Sequence, residues 1–166
     1  MLSKNIQDAL NDQIQAELNS SYIYLAMAAD FEDKNWPGFA AWMRAQAQEE
    51  SGHAMKLFGY IVQRGGRVQL KAIDQPPAEY ESPIAAFQKA YDHEQYITGR
   101  INTIFGLARE SKDPATEALM QWFVSEQVEE EATASRVVET LKRIGASGSG
   151  LVMLDRQLGK RGQGGD

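Results

Sequence analysis

Four stretches of this chain repeat apolar side chains in steps of three and four, and on each of them a glutamate interrupts the apolar line. That spacing places the residues on one face of an α-helix. The first line runs Ile6, Leu10, Ile14, Glu17/Leu18, Ser21, Tyr24/Leu25, Ala28, and the second Phe39, Trp42/Met43, Gln46, Glu50, His53/Ala54, Leu57, Ile61. The third runs Ile84, Phe87, Tyr91, Glu94, Thr98, Ile101, Phe105, Ala108, and the fourth Leu119, Trp122/Phe123, Glu126, Glu130, Thr133, Val137, Leu141. A carboxylate on a face turned toward the core is costly unless something neutralises it. Four such faces therefore demand a fold that gathers the acids around a common compensating charge.

The breaks between the stretches set the topology. The first helix is expected over about 4–33, and Asn35-Trp36-Pro37-Gly38 makes a turn whose proline opens the second. The second runs to about Arg64 and stops at Gly65-Gly66. Two helices of about 28 residues, roughly 42 Å each, joined by a tight turn form an antiparallel pair. From Gly65 to Ser82 the periodicity vanishes; Pro76, Pro77 and Pro83 deny a helix, and Val68-Gln69-Leu70 is expected as a short extended piece. A connection that long fits a crossover running the length of a bundle, which makes the third helix parallel to the second. Ser82-Pro83 opens the third helix, and Lys112-Asp113-Pro114 ends it and opens the fourth, which reaches about Ile144.

After the Gly145–Gly150 break, Leu151, Leu154 and Leu158 mark a short helix over about 150–160 with one oily side, followed by a polar tail over 161–166. So short a helix needs a docking surface, on its own bundle or on a neighbouring subunit. The fold class is thus all-α: a four-helix bundle with a long crossover between helices 2 and 3 and a short fifth C-terminal helix. At 166 residues, a single domain over 1–166 is expected, with the bundle over about 4–144.

Composition narrows the partners. The chain is 43% hydrophobic and 24% charged with a net charge of −6, and no basic stripe with interleaved aromatics suggests nucleic acid. No run of about eighteen apolar residues indicates a membrane span. Cysteine is absent, which excludes disulfides, thiolate metal sites and a cysteine nucleophile, and fits a cytoplasmic protein.

Glu17, Glu50, Glu94 and Glu130 fall near the middle of their helices, with His53 one turn after Glu50. Lys56 and Arg44 lie off the inward line, so no basic side chain compensates the acids. Metal is the economical answer, and a site rich in carboxylates with one imidazole suits iron or manganese better than structural zinc. Inward carboxylates from four helices with a Glu-x-x-His form the di-iron carboxylate pattern. In Ser125-Glu126-Gln127-Val128-Glu129-Glu130-Glu131, Glu126 and Glu130 fall on the inward line, Gln127 and Glu129 flank it, and Glu131 is expected in solvent. His93 is expected as a surface or helix-contact residue, and Met43 and Met55 as core packing.

With these residues in place, the sequence resembles the bacterial non-haem ferritins over essentially its whole length, including the fifth helix. Glu17, Glu50-Ser51-Gly52-His53, Glu94 and the 125–131 run match in order and spacing. The resemblance implies an iron-storing ferroxidase with a dinuclear centre. Glu17, Glu50 and His53 would bind the first iron, and Glu50 would bridge to the second, held by Glu94 and Glu130 with Gln127 close by. It implies a third iron site at Glu49, Glu126, Glu129 and Glu130, and Tyr24 as a redox or hydrogen-bond partner. Trp122 is expected as a core aromatic, with a redox role as the alternative.

The resemblance also implies a hollow shell of twenty-four copies, with Fe(II) and dioxygen or hydrogen peroxide as reactants and a ferric mineral inside. Ser51 stands where a haem-ligating methionine would follow the bridging glutamate, so no haem is expected. Gln127-x-x-Glu130 replaces a second Glu-x-x-His, which makes iron a substrate more than a fixed cofactor. The alternative is a di-iron oxidoreductase that keeps its metal pair. For iron entry, Asp113, Glu117 and Gln121 are the channel candidates, with Met120 where similar proteins place an acid.

Overall fold

Capping chemistry sets the start of nearly every helix. The computed structural model describes residues 2–161, over which α1 spans Lys4–Asp33, α2 Pro37–Gln63, α3 Pro83–Glu110, α4 Pro114–Ile144 and α5 Gly148–Leu158, with no strand among the described residues. The tail expected over 161–166 lies, apart from Arg161, outside the described residues. Side chains of Ser3, Ser82, Asp113 and Ser147 accept the N–H of Ile6, Ala85, Thr116 and Gly150, and so satisfy donors that the first helical turn leaves free. Proline occupies the first position of α2, α3 and α4, where its missing N–H costs nothing. Asn35 (φ 60°) reverses the chain between α1 and α2, and Gly65 (φ 70°) takes it out of α2.

The crossover is held along α1 by polar side chains. Gln7 accepts the N–H of Arg67 at 2.8 Å, while Asn11 accepts from Gln69 N at 2.8 Å and donates to Arg67 O at 3.0 Å. Further along, Gln15 donates to Ala72 O at 3.1 Å, and Asp30 accepts the N–H of Tyr80 at 3.3 Å. Successive crossover residues thus meet successive turns of α1, so the segment runs the length of the bundle. It delivers α3 to the end where α2 begins, which makes those helices parallel. The Val68–Leu70 piece pairs with no strand; side chains of α1 take the place of a ladder.

The core forms two apolar clusters with a polar layer between them. Phe31, Phe39, Trp42, Met43 and Phe87 anchor one, near the start of α2. Ile6, Leu10, Leu57, Ile61, Ile101, Met120 and Phe123 fill the other. α1 packs mainly against α2 and α3 against α4. The buried faces of α1 and α2 follow the sequence expectation apart from Leu25, expected inward but 47% exposed, whereas those of α3 and α4 are rotated. α3 buries Ala86, Ala90, Ile97 and Ile104 around Phe87, Glu94 and Ile101, leaving Ile84 36% exposed. α4 buries Thr116, Met120, Gln127 and Ala134, leaving Trp122 36% exposed and Glu126 half-buried. Small residues turned inward let these two helices approach the aromatic side chains of α1 and α2. Met43 is core, as expected, whereas Met55 faces outward at 57% exposure.

α5 docks on its own bundle. Leu154 is buried against the first cluster, with Leu151 and Leu158 packed beside it. Asp155 supplies what α2 lacks: its Oδ1 accepts the N–H of Phe39 at 2.8 Å, capping a helix whose own N-cap residue, Trp36, makes no side-chain bond. The approach is so close that a Cβ at Gly38 would lie 1.7 Å from the Asp155 carbonyl oxygen.

Candidate metal centre

The polar layer is built from the middle of all four long helices. Glu17 of α1, Glu50 and His53 of α2, Glu94 of α3 and Glu130 of α4 are each at most 5% exposed. The three-residue step from Glu50 to His53 puts both on the same face, which α2 turns toward the other helices. Two triads form: Glu17, Glu50 and His53, and Glu50, Glu94 and Glu130, the facing ligand atoms of each lying within 4.8 Å of one another. Glu50 belongs to both. A third group, Glu49, His53 and Glu126, lies at the edge of the layer. Glu129 is exposed and belongs to none of the three.

Hydrogen bonds orient the carboxylates. Gln13 Nε2 donates to Glu17 Oε1 at 2.8 Å, and Arg100 Nε in turn donates to Gln13 Oε1 at 3.0 Å. Gln46 Nε2 donates to Glu130 Oε2 at 2.8 Å. Glu94 receives the Tyr24 hydroxyl on Oε1 and Gln127 Nε2 on Oε2, the latter at 3.1 Å. Gln127 also donates to the Glu94 carbonyl at 3.2 Å, so its amide nitrogen serves Glu94. Among the described residues, the buried side-chain atoms left without a partner are Glu17 Oε2, both oxygens of Glu50, His53 Nδ1 and Gln46 Oε1. Buried acceptors are normally satisfied, and these converge: His53 Nδ1 lies 3.4 Å from Glu50 Oε2 and 4.0 Å from Glu17 Oε2. Lone pairs gathered in this way fit a cation.

The electrostatics agree. Burial, reinforced by Glu50, raises the Glu17 carboxyl well above the usual range. Burial and then Glu94 do the same to Glu50. Burial raises Glu94 too, although Tyr24 and Gln127 pull the other way. Glu130 is pushed up to about 7 by burial, then by Glu94 and Glu49. Acids in this condition keep protons until a cation displaces them.

The neighbours fall into place around this layer. Tyr24 is 1% exposed, its ring edge-on to Trp42 at 6.4 Å. Trp122, expected in the core, instead stands edge-on to His53 at 5.5 Å with Lys56 Nζ over its ring. Glu131, expected in solvent, is half-buried and accepts the Thr98 hydroxyl at 2.5 Å. His93 meets Ser20 Oγ at 2.7 Å, and burial lowers it to about 4, which keeps it neutral. Among the channel candidates, Asp113 caps α4 and pairs with Arg64 at 3.0 Å, Glu117 meets Arg109 at 3.5 Å, and Met120 is fully buried. Gln13, Gln46 and Arg100 have no assigned role in the sequence reading. Gln13 precedes Glu17 by four residues, a spacing that signals their contact on one helix face; Gln46, whose partner Glu130 lies on α4, and Arg100 give no such signal.

A four-helix bundle with inward carboxylates and a Glu-x-x-His defines a class of proteins that hold metal between their helices. The chain belongs to the ferritin family: residues 7–144 match its ferritin-like domain. It is 41% identical over 161 residues to the bacterial non-heme ferritin of Bacteroides fragilis (strain 638R), covering 97% of this chain and 100% of that one. It is 37% identical to the bacterial non-heme ferritin of Staphylococcus aureus (strain MRSA252), with 97% of each chain covered. Among solved structures, an open pore ferritin from the archaeon Archaeoglobus fulgidus superposes with a TM-score of 0.96 at 47% identity, covering 97% of this chain and 99% of that one.

Proposed function

We propose that this protein stores and detoxifies iron as a ferroxidase. The observation that carries the reading is the convergence of unpartnered buried atoms of Glu17, Glu50 and His53 on a second acid triad through the shared Glu50. Fe(II) is the substrate. One ion is held by Glu17, Glu50 and His53, and the other by Glu50, Glu94 and Glu130, with Glu50 as the bridge. Two Fe(II) give two electrons to dioxygen, which takes up two protons and becomes hydrogen peroxide; peroxide can itself serve as oxidant. The carboxylates favour the harder Fe(III). The second position offers only oxygen ligands, since its three residues are carboxylates and Gln127 beside them is an amide, which binds metal through oxygen, where a histidine would bring nitrogen. That composition suits release of the product rather than a permanent metal pair, and no haem is needed.

Fe(III) then passes inward past Glu49, Glu126 and Glu129, which with Glu130 are the acids of the proposed third site, to a ferric oxyhydroxide deposit. The deposit lies inside a shell of twenty-four copies in the cytoplasm. Tyr24, bonded to Glu94, is placed to supply a proton or an electron to the centre. Trp122 is the second aromatic beside it.

Stopped-flow oxidation of Fe(II) in air tests the assignment. Glu50→Ala and His53→Ala slow the fast phase by at least about tenfold, since even outer-shell partners of a metal site are worth that much, while the assembly keeps its size. Oxidation by His53→Ala at the parent rate would refute the site.

A further inference from the structure

A cleft of about 790 Å³ opens between the C-terminal half of α4 and the end of α5, apart from the buried acids. Arg136 and Arg143 of α4 and Lys160 and Arg161 after α5 line it, with Thr133 and Glu139. Glu139 is neutralised by Lys142 at 2.8 Å. Arg161 reaches Glu49 at 3.2 Å and lies over the Trp42 ring at 4.9 Å. Among the described residues, Arg136 donates to the Ala132 carbonyl at 3.2 Å and the Thr133 hydroxyl at 3.4 Å. Among the described residues, Arg136, Arg143 and Lys160 enter no ion pair.

The chain carries a net charge of −6, so cations without acid partners, collected in one concavity, run against its overall balance. Like charges so placed repel unless an anion joins them. We propose that this cleft binds an oxyanion of the phosphate class. Guanidinium forks match tetrahedral oxyanions with paired N–H donors, and several cations favour a multivalent anion over chloride. The oxyanion is free phosphate or the phosphoryl end of a small metabolite. The proposal goes beyond the ferroxidase reading and requires no iron at the centre.

Isothermal titration of the assembled, iron-free protein, in chloride buffer of fixed ionic strength, separates these cases. Inorganic phosphate and ADP are titrated in parallel. Saturable phosphate binding identifies the free anion, and saturation by ADP alone identifies the phosphoryl group of a metabolite. In either case an Arg143→Gln/Lys160→Gln variant weakens binding at least about tenfold, the loss expected for charge-assisted contacts. Arg143→Lys, which keeps the charge, retains most of the binding. Both substituted positions are exposed on the chain, and helicity and assembly size equal to the parent's are the controls that report an intact fold. If neither ligand saturates, or the double variant binds like the parent, the proposal fails.

Discussion

At Glu50 both carboxylate oxygens are buried without a hydrogen-bond partner, and burial and Glu94 together hold the proton on. The same direction holds for Glu17, Glu94 and Glu130. An acid whose folded-state pKa is raised binds a proton that the unfolded chain has already released. Stability without metal therefore falls as pH rises from the unfolded value through the folded one. For Glu130 that window runs from 4.5 to about 7. The iron-free protein is expected to melt at a lower temperature near neutrality than at mildly acidic pH. Glu130→Gln, having no proton to lose, gains on the parent across that window. Redox-inert Zn(II) reverses the trend, stabilising more at neutral pH because it no longer competes with protons. Parallel melting curves for parent and Glu130→Gln across the window would contradict this account.

The supporting glutamines give a second residue-scale expectation. Gln46→Leu frees Glu130 Oε2 from its only anchor in α2. Iron oxidation should slow by about 10–100-fold, the range for outer-shell partners of metal ligands. An unchanged rate would show that Glu130 is positioned by something else. His53 raises a related point. Its Nδ1 faces Glu17 and Glu50, while its Nε2 lies 3.9 Å from Glu126. A neutral imidazole has one free lone pair in the ring plane, so His53 serves the first triad or the outer group, not both.

Among the elements, α5 is the one whose stability is borrowed. Its 11 residues are too few to hold a helix alone in water. Leu154 anchors it, and Asp155 makes the attachment mutual by capping α2 at Phe39. Asp155→Ala is expected to cost about 1 kcal/mol, the usual value of an N-cap, in urea unfolding. The amide of Phe39 should then exchange with solvent faster. Gly38→Ala acts on the same contact from the other side, because its Cβ meets the Asp155 backbone, which has no side-chain freedom to yield. Faster proteolysis after Arg156 or Lys160 would report the undocked helix; resistance equal to the parent would show that α5 is held elsewhere.

For the whole molecule, the apolar side chains left outside matter most. Tyr22 and Leu25 on α1 are 46% and 47% exposed, and Tyr96 on α3 is 56% exposed. No helix among the described residues is long and apolar enough to cross a membrane. A second copy of the chain is the proposed cover. The parent is therefore expected to elute from size exclusion as a large particle, and Leu25→Glu to release smaller species. A parent eluting near the mass of one chain would rule out the shell. Aerobic Fe(II) should stay soluble at many ions per chain; saturation at two would favour a permanent metal pair.

The helices, their order, the crossover and the acids of the buried polar layer could all be read from the sequence. Period, caps and prolines act within a few residues, and a buried charge betrays itself by interrupting an apolar line. Glu17, Glu50, His53, Glu94 and Glu130 were legible for that reason. How far α3 and α4 turn about their axes was set by packing between helices. A helix flanked by two neighbours can bury either of two adjacent lines, and packing against the aromatic cluster selects one. That rotation brought Gln127 inward, moved Glu126 to the edge and turned Trp122 toward His53. The structure alone also joined Arg100 to Gln13 and Asp155 to α2, contacts between residues 87 and 116 positions apart that no local spacing encodes.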